Sequence, residues 1–391
     1  MMCVTMPIIG CLMNRNRIFL SLSQQSGFEQ QYIQEALETN WITTGGPNVD
    51  AFEQALETYL GSEVNVGALS SGTAAIHLGL ILLGVKAGDE VLCQSMTFSA
   101  SANPILYLGA TPVFIDSESE TWNLCPVALE EAIKDRITKG KKPTAIIAVH
   151  LYGVPYKTEA IRTISDKYNI PVLEDSAEAL GSSYKGRQCG TFGDIGVLSF
   201  NGNKIITTSG GGAIVTKSKE LKDRAVFFAT QSRDDAPHYQ HSEVGYNYRM
   251  SNICAGIGRG QMEVLDAHVQ LRRDMQSFYF DLFQNIDEVT VFTVPNDDYY
   301  ANYWLSAILI EPNTVKGIDR EAVRLAFEAA NIESRPLWKP MHLQPIFEQY
   351  PYYGSNVAET LFENGLCLPS GSNLTDEERV RITKVVLDFF K

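Results

Sequence analysis

Short strand-like runs alternate with helical stretches between about residues 60 and 220, and this alternation constrains the fold more than any other feature of the sequence. Helical periodicity is clear in Ala74–Leu83, Pro126–Lys139 and Thr158–Tyr168. Such strand–helix–strand units predict an α/β fold with a mainly parallel sheet, helices on both faces and a ligand site at the carboxyl ends of its strands. The strand-like runs are Val64–Leu69, Glu90–Gln94, Pro112–Ile115, Ala145–Val149, Pro171–Glu174, Ile195–Phe200 and Gly212–Thr216.

The pattern changes after Thr216, and a chain of 391 residues exceeds the size at which one hydrophobic core usually stops growing. We therefore predict an N-terminal leader at 1–25, a large domain at 26–261 and a smaller α+β C-terminal domain at 262–391. The later elements are predicted as helices at Ser218–Ala229 and Asn252–Asn285, a strand at Tyr303–Ile310, and helices at Arg320–Ala330 and from Asp376.

Charge and cysteine usage exclude several classes of function. The formal net charge of −14 disfavours binding to nucleic acid, and no apolar run approaches the roughly 20 residues needed to span a bilayer. The seven cysteines are scattered without a C-x-x-C pair, which is typical of reduced thiols. We expect a soluble cytoplasmic protein without a metal site.

A serine-rich turn, Ser70-Ser71-Gly72-Thr73, follows a predicted strand and opens a predicted helix. Its backbone N–H groups and hydroxyls would converge at a helix N-terminus, where hydrogen bonds and the helix dipole favour a phosphate. The alternative is an ordinary Ser or Thr helix cap with no ligand.

Asp175 follows the apolar strand run that ends at Glu174, where a buried carboxylate is costly unless it has a partner. A protonated pyridine nitrogen is a suitable partner, since a fixed negative charge keeps such a ring an electron sink. Glu178 is placed to approach the same ring edge. The alternatives are a helix cap for Asp175 and a solvated helix face for Glu178.

Lys204 lies between two apolar strands in a segment rich in glycine, Asn201 to Gly212. A lysine held there can form an imine with an aldehyde, and the glycines let the backbone pass close to a ligand. Phe98, after the strand Glu90–Gln94, is a candidate for stacking on a flat ring. The alternatives are a surface lysine and a core aromatic residue.

Together these segments resemble the DegT/DnrJ/EryC1/StrS family of sugar aminotransferases, a branch of fold-type-I enzymes that use pyridoxal 5'-phosphate (PLP). The resemblance extends from Trp41 to Ser370 and implies PLP as the cofactor, with pyridoxamine 5'-phosphate as its aminated form. It further implies that the phosphate is held by Ser71, Gly72, Thr73 and Ser199, the ring nitrogen by Asp175, the ring face by Phe98 and the aldehyde carbon by Lys204.

The resemblance also implies a homodimer with shared active sites. Asn247 stands in the segment Gly245 to Arg249, and the family asparagine of that motif reaches the phosphate in the neighbouring subunit's site. From the residues alone, Asn247 could instead order a turn. Arg249 is a further candidate for contact with the substrate.

Two segments, Asn201–Gly212 and Ser334–His342, are most similar to bacillosamine-pathway C4 aminotransferases, which use UDP-linked 4-keto sugars and L-glutamate. Two departures bear on the sugar: many members carry glutamine or histidine where Glu178 stands, and G-E-G-G where Ser209–Gly212 stands. In the second segment, Trp338, Lys339 and His342 are candidate ligands of an anionic nucleotide sugar.

Two other functions remain open, and a third is disfavoured. A C3 aminotransferase acting on a dTDP- or GDP-linked keto-deoxysugar would use the same cofactor residues. A non-catalytic PLP-binding regulator would share the cofactor site but not turn over. A sugar 3-dehydratase is disfavoured, because those relatives replace the lysine by histidine and this chain has Lys204.

Overall fold

The computed structural model describes residues 17–61, 63–313 and 317–391, so most of the predicted leader lies outside the described residues. The strands are β1 (Asn65–Leu69), β2 (Glu90–Gln94), β3 (Thr111–Ile115), β4 (Ala145–Val149), β5 (Val172–Asp175), β6 (Ser183–Tyr184), β7 (Arg187–Gln188), β8 (Ile195–Ser199), β9 (Gly212–Thr216), β10 (Val289–Val291), β11 (Tyr299–Tyr300), β12 (Ser306–Ile310), β13 (Arg335–Pro336), β14 (Tyr352–Tyr353) and β15 (Gly365–Leu368). The helices are α1 (Glu29–Glu38), α2 (Pro47–Leu60), α3 (Gly72–Leu82), α4 (Ser99–Tyr107), α5 (Pro126–Thr138), α6 (Thr158–Tyr168), α7 (Lys219–Ala229), α8 (Asn252–Met262), α9 (Leu265–Phe283), α10 (Arg320–Ala329), α11 (Val357–Asn364) and α12 (Asp376–Phe389).

The larger sheet has the strand order β1-β9-β8-β5-β4-β2-β3-β14. The six strands β8, β5, β4, β2, β3 and β14 run parallel to one another, and β9 is antiparallel to both β1 and β8. The predicted α/β fold with a mainly parallel sheet is confirmed. All five residues of β2 and of β4 are buried, as expected for central strands covered on both faces.

Helices cover both faces of this sheet because successive strand residues point to opposite sides. In β4, Ile147 packs in the core formed with α3, α4 and α7, whereas the preceding Ile146 packs in the core formed with α5 and α6. The carboxyl ends of β5 and β8 and the start of α3 consequently lie at one edge of the sheet. Ligands of such sheets bind at this edge.

A second, antiparallel sheet has the order β10-β12-β15-β13 and packs with α9, α10 and α12. Ile18 belongs to the same core and pairs with Ile332, so the described part of the predicted leader is packed against the C-terminal part of the chain. β14 pairs with β3 of the larger sheet although it follows residue 262. The domain boundary at 262 remains a prediction.

Several helices differ from the sequence-based expectation. The stretch Asn252–Asn285 forms two helices, α8 and α9, separated by Glu263 and Val264. Helix α4 contains Pro104, a residue that argues against a helix in the sequence. No helix among the described residues is long and apolar enough to cross a membrane.

Candidate active site

A cavity of about 710 Å³ opens at the carboxyl edge of the large sheet. The cavity brings together most of the side chains that the sequence singles out. The two that are farthest apart in sequence, Ser71 and Lys339, are separated by 268 positions. The predicted site residues that line it are Ser71, Gly72, Thr73, Phe98, Asp175, Glu178, Ser199, Lys204, Trp338 and Lys339.

The N-terminus of α3 forms one wall of the cavity. The Ser71 Oγ accepts a hydrogen bond of 3.0 Å from Ala74 N, so this residue caps the helix as the simpler interpretation predicts. The first N–H groups of a helix have no intrahelical acceptor. A Cβ on Gly72 would lie 3.0 Å from the Cβ of Ser199, and a Cβ on Gly212 would lie 2.4 Å from Gly72 N. Glycine thus permits the close approach that places Ser199 beside these donors.

Asp175 ends β5 and is only 4% exposed. Its Oδ2 accepts a bond of 2.6 Å from Ser101 Oγ, and its Oδ1 accepts one of 3.1 Å from Ala177 N. Within the described part of the chain it has no ion-pair partner. A buried carboxylate that faces a cavity without a counter-ion is suited to a cationic ring nitrogen.

Lys204 and Glu178 form an ion pair across the cavity, with 3.2 Å between Nζ and Oε1. The second carboxylate oxygen of Glu178 accepts a bond of 2.8 Å from Tyr152 N. Burial raises the pKa of Glu178 to about 7, and the positive charge of Lys204 opposes this rise. Glu178 can therefore gain or lose a proton near neutral pH.

Phe98 precedes α4 and is 57% exposed. Its ring centroid lies 5.7 Å from that of Trp338, and both rings line the cavity. An exposed phenyl ring at this position offers a flat apolar surface to a ligand ring.

Two predicted substrate residues do not line the cavity. The Arg249 guanidinium pairs with Glu53 and donates a bond of 2.9 Å to the carbonyl of Ala68. The ring of His342 lies 2.7 Å from Ser95 Oγ and 3.2 Å from Glu359 Oε1, and it stacks on Tyr352. These interactions hold together segments distant in sequence, and the single chain gives no support to the assignment of Arg249 and His342 to substrate contact.

Asn247 also lies outside the cavity wall of its own chain. It forms an isolated bridge with Thr230 and is exposed. Its role across a subunit boundary remains a prediction.

Sequence reasoning missed part of the cavity wall. The N-terminal segment Phe19–Leu22 lines the cavity, and so does Trp304, which precedes β12. The Trp304 ring centroid lies 4.1 Å from Lys204 Nζ. No motif or spacing marks either segment, because the Lys204 segment that both contact is about 100 or more positions away in sequence.

The assembled donors fit PLP. The α3 N-terminus and Ser199 suit its phosphate, Asp175 its ring nitrogen, Phe98 its ring face and Lys204 its aldehyde. A metal is not needed for this fit, and no cluster of three or more His, Cys, Asp or Glu side chains that could hold one occurs in the described ranges.

Comparison with known proteins agrees with this geometry. The sequence model of the DegT/DnrJ/EryC1/StrS aminotransferase family matches residues 23–387. EpsN of Bacillus subtilis (strain 168), provisionally named a pyridoxal phosphate-dependent aminotransferase, is 49% identical over 378 residues, which cover 96% of each chain. GDP-perosamine synthase of Escherichia coli O157:H7 is 38% identical, covering 93% of this chain and 96% of that protein.

A solved structure shows the same fold with the cofactor. It is the PLP form of Spr1654 from Streptococcus pneumoniae, provisionally named a sugar aminotransferase, with 26% identity and a TM-score of 0.85. The alignment covers 96% of this chain and 100% of that one. A second structure shows the same protein in its pyridoxamine 5'-phosphate (PMP) form. The chain belongs to the DegT/DnrJ/EryC1/StrS aminotransferase family and is a PLP-dependent aminotransferase.

Proposed function

We propose that this chain transfers the amino group of L-glutamate to C4 of a UDP-linked 4-keto-6-deoxy-N-acetylhexosamine, as a cytoplasmic homodimer with shared active sites. Amino transfer to a nucleotide-linked sugar is supported by the relatives that are named for such reactions. One observation carries the proposal: the buried Asp175, which has no counter-ion among the described residues, shares a cavity with the Lys204–Glu178 pair.

When bound, PLP supplies an aldehyde that exchanges amino groups and a ring that withdraws electrons from the substrate carbon. Asp175 would hold the ring nitrogen with its fixed negative charge. Ser71, Gly72, Thr73 and Ser199 would hold the phosphate, and Phe98 would support the ring face.

Lys204 Nζ is the group placed to move a proton at the substrate carbon, because its amine projects into the cavity. Glu178 Oε1, 3.2 Å away, can hold that proton in turn. The Tyr152 N–H keeps the carboxylate oriented through its other oxygen. Proton transfer by a positioned side chain typically accelerates a reaction by about 10²–10⁴-fold.

The cavity mouth carries the groups suited to a nucleotide diphosphate. Lys339 is exposed and has no ion-pair partner within the described residues, and Trp338 lies beside it with an aromatic face. A cationic and an aromatic group together match a diphosphate and a sugar or base. In a chain of net charge −14, such local donors are needed to attract an anionic substrate.

The choice of UDP and of C4 is supported by the similarity of Asn201–Gly212 and Ser334–His342 to bacillosamine-pathway enzymes. A GDP-linked keto-deoxysugar is the second candidate, favoured by the 38% identity to a GDP-perosamine synthase. The cytoplasmic assignment is supported by the five described cysteines, all of which are free.

Two experiments test the proposal. Glutamate should convert the bound cofactor to its amino form, a spectral change that a non-catalytic PLP-binding regulator would not show. Mass spectrometry should then be used to identify amino-sugar products from a panel of UDP-, GDP- and dTDP-linked 4-keto and 3-keto sugars. Product from a GDP- or dTDP-linked substrate alone would overturn the proposed specificity.

A further inference from the structure

Trp304 contacts the segment around Lys204 at two points. Its ring centroid lies 4.1 Å from the amine nitrogen, a distance at which an ammonium group is attracted to the indole face. Its ring N–H donates a bond of 2.6 Å to the carbonyl of Asn203, the residue just before the lysine. The side chain is 3% exposed, so little water competes with either contact.

The backbone of Trp304 is held on both sides. Its N–H donates a bond of 2.8 Å to Asn302 Oδ1, and its carbonyl accepts one of 2.5 Å from Arg272 Nη1. Arg272 is buried and also donates a bond of 3.0 Å to Ser21 Oγ. Burial lowers the pKa of Arg272 to about 9. Arg272 has no carboxylate partner among the described residues, and burial of a guanidinium is costly, so its bonds to Trp304 and Ser21 offset part of that cost.

Asn302 connects the two groups that face the lysine amine. It is fully buried, and its Nδ2 donates bonds of 2.8 Å and 2.9 Å to the carbonyls of Glu178 and Leu180. Because its Oδ1 holds Trp304, one amide side chain fixes the backbones of both partners of Lys204. The distance between the Glu178 carboxylate and the indole face is thereby set by the fold.

We propose that Trp304 is the positioning residue of Lys204: its indole face holds the protonated amine, and its ring N–H fixes the backbone that carries the lysine. The inference deepens the proposed function, since it concerns the amine that the reaction uses. A buried indole needs an acceptor for its N–H in any case, so the contact of its face with Nζ is the observation that separates positioning from filling the core.

The test measures how the reactivity of the Lys204 amine depends on pH. The full-length chain is loaded with pyridoxamine 5'-phosphate, which leaves the lysine amine free, and is treated with an amine-acetylating reagent over a range of pH. Mass spectrometry of the peptide containing Lys204 then gives the pH at which half of this amine reacts. The measurement needs neither turnover nor a nucleotide sugar, so its result is independent of whether the proposed substrate is correct.

Three variants separate the two contacts. In Trp304→Leu the aromatic face is lost, so the midpoint should fall by about half a pH unit. In Trp304→Phe the face is kept, so the midpoint should stay near that of the wild type. Both variants lose the bond to Asn203 and should show faster amide exchange at residues 201–205. Trp122→Leu is the matched control for labelling, since this tryptophan is also buried, stacks on Phe292 and does not line the cavity.

Fluorinated tryptophan, incorporated into the otherwise unchanged chain, provides a test that does not depend on the folding of Trp304→Leu. Fluorine weakens the negative ring face with little change of shape, so the midpoint should fall as fluorination increases. The same series in Trp304→Phe should show no such trend. If the pH midpoint of Lys204 labelling in the wild type does not change with fluorination, the role of the indole face is overturned. If amide exchange at residues 201–205 is unchanged in Trp304→Phe, the role of the ring N–H is overturned.

Discussion

The Nζ atom of Lys204 lies 3.2 Å from Oε1 of Glu178, in a buried part of the cavity. These residues are 26 positions apart and follow different strands of the sheet. Their proximity places an amine and a carboxylate with a pKa of about 7 beside the position expected for the reacting carbon.

Lys204 should carry the cofactor covalently. After borohydride reduction of the holoenzyme, peptide mapping should find the phosphopyridoxyl mass on Lys204, because its amine is the one paired within the cavity. Lys204→Ala should bind PLP without a covalent bond and lose at least about a hundredfold in rate. Lys339→Ala is the control, since this lysine also lines the cavity; the label on Lys339 would contradict the assignment.

Glu178 should make the stability of the cofactor-free chain fall as pH rises. Its folded-state pKa of about 7 is above its ordinary 4.5, so folding favours the protonated form, and this advantage is lost between those two pH values. The free energy of unfolding should drop by on the order of 3 kcal/mol through this group. Denaturant titrations of the wild type and of Glu178→Gln at pH 4.5 and pH 8 should show that the change in unfolding free energy differs between the two proteins by this amount, since the other titrating groups are common to both.

The carboxylate of Asp175 should be required for the rate but not for the fold. Asp175→Asn can still accept the bond from Ala177 N, yet an amide cannot balance a ring cation. We expect a loss of about 10²–10³ in kcat with a nearly unchanged melting temperature. Ser101→Ala is the matched control because it removes a partner of the carboxylate and keeps its charge. Equal losses in the two variants would argue against the charge.

The regular elements of the fold are predictable from sequence because hydrophobic periodicity reports them locally. All seven strands predicted between residues 60 and 220 occur, within one or two residues of their expected ends. Two features of the helices are not predicted, for different reasons. Pro104 obscures α4, and an uninterrupted helical pattern conceals the break between α8 and α9.

Roles that depend on distant partners are not predictable in this way. Arg249 and His342 carry polar groups suited to a substrate, but Glu53 and Ser95, which lie 196 and 247 positions away, engage them. Trp304 resembles any core aromatic residue until its position over Lys204 is known. Pairings of this kind depend on how elements pack, which local patterns do not contain.

The active sites should be shared between two subunits. Mixing Lys204→Ala chains with Asn247→Ala chains should restore activity above that of either parent, because one site of a mixed dimer would carry neither change. Chains with different tags allow the mixed dimers to be isolated and assayed. If the subunits exchange and no activity returns, Asn247 acts within its own chain or has no role.

The segment Ser334–His342 should contribute to substrate binding through Lys339 and not through His342. The Lys339 amine is exposed at the cavity mouth and has no ion-pair partner in the described residues, so Lys339→Ala should raise KM for the nucleotide sugar about tenfold. The half-reaction with glutamate should stay nearly unchanged, as expected when binding of one substrate is lost.

His342 should behave differently because its ring links Ser95 to Glu359 and stacks on Tyr352. Removing the ring leaves the buried Ser95 hydroxyl without that partner, so His342→Ala should lower the free energy of unfolding by about 1–3 kcal/mol. Both half-reactions should then decline together as folded protein is lost. Denaturation curves and separate kinetics of the two half-reactions distinguish the variants, and a selective rise in the sugar KM for His342→Ala at unchanged stability would return this histidine to the substrate site.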